Sequence, residues 1–135
     1  MAATDRLLDR KEFGERVYAR DKHKCVFCGA KADDPHHILD RKLYPDGGYY
    51  LNNGASVCNP CHMKCETGEF TVEQVRVKAG ITDPIYPPGI TADMVVDKWG
   101  NQYLEDGRRI KGPLFEDTAV QKLFKRDLWM FEDHE

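Results

Sequence analysis

Two cysteine knuckles constrain this chain more than any hydrophobic pattern does. Cys25-x-x-Cys28 forms one and Cys58-x-x-Cys61 the other, with residues 29 to 57 between them. Tetrahedral zinc takes four thiolates at about 2.3 Å, and two such pairs supply a closed set. The intervening segment would then be held at both ends without a large core of its own. The chain has 5 cysteines, an odd number, and begins MAATDRLLDRKEFGERV, which is too charged for a secretory signal. Such thiols read as metal ligands ahead of disulfides, in a protein expected to be intracellular and cytoplasmic. Cys65 is the spare: a buried small hydrophobe or surface thiol on one reading, a replacement for Cys61 on another. Four thiolates leave no open position, so this zinc is structural and any chemistry belongs inside the clasp.

At 135 residues, 41% hydrophobic and 32% charged, the chain suits a soluble domain with a modest core. No apolar run approaches the roughly 18 residues of a membrane span. Asp9 followed by Glu12 predicts a capped helix over residues 10 to 20, with Phe13 and Val17 four apart. PHHIL (35 to 39) and Ala55 to Val57 read as short strands, separated by the turn-rich YPDGGYYLNNG. A helix starting near Asn59 would carry Cys61, His62, Cys65 and Glu66. Thr71 with Gln74 caps another helix, which Gly80 stops. ITDPIYPPGI (81 to 90) is a linker or an extended crossing. Gly100-Asn101 and Asp106-Gly107 then mark the turns of a small antiparallel meander. Asp117 caps a last helix with Val120, Leu123, Phe124, Leu128 and Phe131 along one face. The expected fold class is α+β, with one unit over residues 1–80 and a C-terminal extension over 81–135.

Inside the clasp lies HHILDRK, residues 36 to 42. Neighbours on a strand point to opposite faces, so His36 and His37 should not share one task. On the following helix His62 projects about 100° from Cys61, and Glu66 lies one turn on along the face of His62. His36 and His62, with or without Glu66, would form a mixed nitrogen and oxygen set with open positions. Such a set suits a catalytic divalent cation better than a structural one.

CVFC, PHHI, NGASVC and NPCH, taken together over residues 15 to 68, resemble the HNH endonucleases. This is the His-Me finger or ββα-metal family, in the variant stapled by two CxxC knuckles. His37, Asn53 and His62 take the places of the letters H, N and H. The resemblance implies a ββα-metal core and a phosphodiester hydrolase. In it His36 and His62 hold one divalent cation (Mg²⁺ or Mn²⁺), and His37 is the general base that takes a proton from water. Asn53 braces the loop between the strands. Glu66 stands where relatives carry a histidine one turn further on, which leaves its ligation open. The structural ion would be Zn²⁺ on Cys25, Cys28, Cys58 and Cys61.

The implied partner is nucleic acid, DNA ahead of RNA, with no membrane. A double-strand break would need a homodimer or two visits, since one such site cuts one strand. Net charge is −3, so attraction to phosphate must come from local clusters. Arg41 and Lys42 either hold the backbone or are ordinary loop cations. Arg108 and Arg109 with Lys111, and Lys122, Lys125 and Arg126 on one face of the last helix, would extend that surface. His23 and His134 read as plain surface residues. Two other classes share the cysteines: a non-catalytic zinc-knuckle module binding nucleic acid or protein, which would not need three of the histidines, and a thiol redox protein, whose βαβ setting is missing.

Overall fold

The computed structural model describes residues 6–133, so His134 lies outside the described residues. Among the described residues the chain is a mixed α+β fold with four α-helices and two small sheets. Helix α1 (Arg10–Arg20) starts where the Asp9 carboxylate accepts from the Glu12 N–H at 2.8 Å. Phe13 and Val17, one turn apart, form its buried stripe. They land on Gly54, at the start of strand β2 (Gly54–Val57). A Cβ at Gly54 would meet Val17 at 2.6 Å and Phe13 at 2.7 Å, so only glycine permits this approach. Arg20 donates to the carbonyls of Leu51 and Gly54, and Asp21 accepts from the Ser56 N–H, which ties the end of α1 to β2.

Strand β1 (Asp34–His37) pairs antiparallel with β2, placing His36 opposite Ala55 and His37 opposite Gly54. The chain then enters α2 (Asn59–Thr67), whose first turn carries Pro60 and whose end is Gly68 in the left-handed region. A capping box of Thr71 and Gln74 opens α3 (Val72–Ala79), and Gly80 closes it with φ 74°. Residues 81 to 90 are an extended crossing and not a loose linker. Ile81 and Ile90 are buried in the same apolar cluster as Ile38, Leu39, Val57 and Val75. Asn52 and Tyr44 donate to the carbonyls of Asp83 and Ile85, so the crossing is also pinned by polar contacts.

Both meander turns form where the Gly pairs placed them. Val96 bridges Gln102 around Gly100, and β3 (Gln102–Tyr103) pairs antiparallel with β4 (Arg109–Ile110) around Gly107. The last segment departs from expectation. Asp117 does cap α4, but the helix covers only Thr118–Leu123 and ends at Phe124. The chain turns, and Phe131–Glu132 form β5, parallel to β4. The competing term is tertiary: β4 has an open edge, and the Lys111 N–H finds its acceptor in the Glu132 carbonyl at 2.8 Å. Val120, Phe124 and Phe131 still share one core, with Trp99 and Phe115, but from α4, its C-cap and β5 and not one helix face. Lys122, Lys125 and Arg126 accordingly do not form the helical stripe their spacing suggested. No helix among the described residues is long and apolar enough to cross a membrane.

Candidate metal centres and the histidine cleft

The thiols of Cys25, Cys28, Cys58 and Cys61 lie within 4.8 Å of one another. Cys28 and Cys58 sulfurs are 3.6 Å apart, far beyond a disulfide bond and close to the roughly 3.8 Å edge of a tetrahedron with 2.3 Å zinc–sulfur bonds. Local backbone explains the approach. The knuckle turns at Gly29 (φ 78°), which donates to the Cys25 carbonyl, while Cys58 caps α2 and Cys61 sits in its first turn. Burial raises the Cys25 thiol, but the N–H groups of Cys28, Cys58 and Phe27 aimed at its sulfur outweigh this and hold it near 7. Burial and the neighbouring thiols push Cys61 the other way, well above the ordinary thiol range. Amides that favour a thiolate, around four converging sulfurs, fit a zinc ion. Cys65 stays apart, with burial raising its thiol to about 12, so it remains a neutral buried side chain.

A second group of ligating atoms, from His36, His62 and Glu66, also lies within 4.8 Å. β1 supplies the first and consecutive turns of α2 supply the others, as the helical spacing of 62 and 66 requires. The two imidazoles meet edge to face with centroids 4.9 Å apart. His36 Nδ1 is buried with no hydrogen-bond partner. An orphaned nitrogen beside a second imidazole and a carboxylate is a donor set that a divalent cation could complete. Asp34, which the motif spacing did not single out, lies 3.3 Å from His62 Nδ1. It thereby leaves Nε2 to face Glu66 at 3.9 Å. A carboxylate behind an imidazole fixes its tautomer and orientation, the usual support for a metal-binding histidine.

His37 shares the same cleft, of about 350 Å³, with Arg41 at its wall. Its ring stacks on Phe13 at 4.6 Å and meets the Tyr49 edge at 5.0 Å, and its Nε2 is buried without a partner. Burial, then the Lys98 ammonium, brings its pKa down to about 4, with Asp40 opposing and Arg41 assisting. His36 is held still more firmly neutral by burial and by Lys98. Both imidazoles therefore carry free lone pairs at neutral pH. Asn53 is almost wholly buried and closes the loop between the strands. Its Oδ1 accepts from the Leu39 N–H at 3.0 Å, and its Nδ2 donates to the carbonyls of Leu39 and Gly48.

The cations named from sequence divide. Arg41 lines the cleft, whereas Lys42 is paired with Asp117 at 2.7 Å. Arg108 pairs with Glu132 at 2.7 Å on the surface. Arg109 turns inward, against expectation. It pairs with the buried Asp97 at 2.8 Å and is faced by the rings of Tyr103, Phe124 and Phe131, so it is committed to the core and not to a phosphate surface. Sequence reading also missed Lys98, which reaches the cleft from the C-terminal extension; nothing in VVDKWG distinguishes it from a surface lysine. Comparison of the chain with protein-family models, curated proteins and solved structures finds no match.

Proposed function

We propose that this chain is a metal-dependent endonuclease of the HNH type, hydrolysing phosphodiester bonds of nucleic acid, with DNA favoured over RNA. One observation carries the reading. The ligating atoms of His36, His62 and Glu66 converge within 4.8 Å in the cleft that also holds the neutral imidazole of His37. On this reading β1, β2 and α2 are a ββα-metal unit, and the four cysteines hold a structural zinc that fastens its two ends. His37 takes a proton from water, and the resulting hydroxide attacks phosphorus in line with the departing 3′ oxygen. His36, His62 and Glu66 would hold a divalent cation, Mg²⁺ or Mn²⁺, which would supply positive charge against the scissile phosphate and the leaving oxygen. Asp34 orients His62, and Asn53 holds the loop that follows His37. Phe13 and Tyr49 fix the plane of the base between them. Arg41 stands at the wall of the cleft, where it can meet the phosphate backbone.

The test is a cleavage screen with the zinc-loaded protein. Plasmid, linear duplex, single-stranded DNA and RNA are incubated with Mg²⁺ or Mn²⁺, each beside an EDTA control. Cleavage that EDTA abolishes is expected, with weaker metal binding and partial rescue by excess Mn²⁺ in His36→Ala and His62→Ala. A zinc-loaded protein that binds nucleic acid yet cuts none of these would instead be a non-catalytic zinc-knuckle module.

A further inference from the structure

The C-terminal extension sends one side chain into the histidine cleft. The turn around Gly100 is built on the buried Asp97, whose carboxylate accepts from the N–H groups of Trp99 and Asn101 and from the Asn101 amide. Arg109 completes this network from β4. The turn is docked at two further points. The Asp40 N–H donates to the Lys98 carbonyl at 2.9 Å, just beyond β1, and the Trp99 indole donates to the Glu66 carbonyl at 2.9 Å, on α2. Lys98 between them is 7% exposed, which is uncommon for a lysine. Its ammonium contacts Glu66, lies 3.7 Å from Asp40 Oδ1, and sits over the Trp99 ring at 4.4 Å.

An ammonium withdrawn this far from water is costly unless charge partners compensate. The cleft offers them: its wall carries the carboxylates of Asp34, Asp40 and Glu66 and the cations Arg10, Arg41 and Lys98. Three acids alone would repel a phosphodiester. Of the three cations, Lys98 is the one in direct contact with the carboxylate that belongs to the His36 and His62 group.

We propose that Lys98 is a substrate-contacting residue of this site, an ammonium from the C-terminal extension that meets a non-bridging oxygen of the bound phosphodiester. The proposal rests on the nuclease reading above and makes residues 81–135 part of the site. Glu66 and Asp40 hold the ammonium at the cleft wall, and its flexible stem lets it swing from carboxylate to phosphate.

The experiment compares wild type, Lys98→Gln and Lys98→Arg as full-length, zinc-loaded proteins. Gln keeps a donor for Glu66 and removes the charge; Arg restores the charge. Binding of a short DNA duplex is followed by anisotropy in Ca²⁺ over a range of salt, with the recovered DNA checked for integrity, and Mn²⁺ affinity is measured separately by calorimetry. Lys98→Gln should bind duplex about 10- to 100-fold more weakly, as expected for a lost charged hydrogen bond. Its slope of log affinity against log salt should fall by about 0.9. Lys98→Arg should recover most of the affinity, and neither variant should bind Mn²⁺ more weakly than wild type. In wild type the Lys98 side-chain NMR signals should move when duplex is added, which requires no variant to fold. Unchanged affinity and salt slope in Lys98→Gln, unmoved Lys98 signals, or a loss of Mn²⁺ affinity that accounts for the whole defect would overturn the proposal. A wild type that binds duplex through Lys98 but never cuts it upholds the contact and refutes the nuclease reading. Cleavage that is indifferent to Lys98 does the reverse.

Discussion

Replacing Asn53 by alanine should damage the fold and the site together, by an amount the structure allows to be worked out. The Asn53 side chain is 1% exposed and makes three hydrogen bonds. Gly48 would keep a partner, because its carbonyl also accepts from the Tyr50 N–H. Leu39, fully buried, would lose its amide acceptor and its carbonyl donor at once. Each buried polar group left unpaired costs about 1 to 3 kcal/mol, giving a loss of about 2 to 6 kcal/mol. Against a typical domain stability of about 5 to 15 kcal/mol, that is a large share. Urea unfolding of the zinc-loaded protein measures it, and hydrogen exchange at the Leu39 amide shows whether the loss is local. Asn53→Asp keeps the acceptor for the Leu39 N–H but loses both donated bonds, so it should rescue little. A loss below about 1 kcal/mol, with the Leu39 amide still protected, would refute the brace.

Cys25→Ser should lose zinc and fold together, since zinc binding of about 10 to 16 kcal/mol is folding energy in small sites, whereas Cys65→Ser should keep its zinc; elemental analysis with circular dichroism separates them. Arg109→Ala strands the buried Asp97 and should cost about 3 to 5 kcal/mol, while Arg108→Ala, which breaks a surface pair with Glu132, should cost under about 1 kcal/mol. Equal losses in the two arginine variants would contradict the inward placement of Arg109. Burial holds the folded His37 at about 4 against the usual 6.5, so the unfolded chain takes up a proton that the folded chain refuses as pH drops. The stability conferred by keeping this group neutral is full above pH 6.5 and is lost as pH falls toward about 4. With no divalent cation added, His37→Gln should flatten stability against pH across that window; a slope identical to wild type would show that His37 is not held neutral.

The parts of the fold that were legible in the sequence are those fixed by local chemistry. Asp9 and Thr71 announce helix starts, Gly80 a helix end, and Gly100 and Gly107 the two meander turns, because caps and left-handed positions admit few residue types. The two CxxC pairs were legible for the same reason, as was the placement of His62 and Glu66 on one face of α2. What stayed hidden depends on long-range packing. The apolar spacing from Val120 to Phe131 fits a helix, yet the open edge of β4 takes Phe131–Glu132 as a strand. Arg108 and Arg109 look alike in sequence, and only the buried Asp97 and its surrounding rings send the second one inward. Lys98 joins the histidine cleft through Glu66 and Asp40, 32 and 58 residues away, and Asp34 joins it through His62, 28 residues away; these pairs are set by the docking of whole elements.

The central claim is that His37 is the base of a divalent-dependent phosphodiesterase. Single-turnover cleavage by wild type and His37→Ala, at saturating Mn²⁺ on the best substrate from the screen, tests it most directly. The account predicts a rate lower by about 10² to 10⁴ in the variant, with zinc content, fold and Mn²⁺ affinity retained. Cleavage at the wild-type rate by folded His37→Ala protein would contradict it.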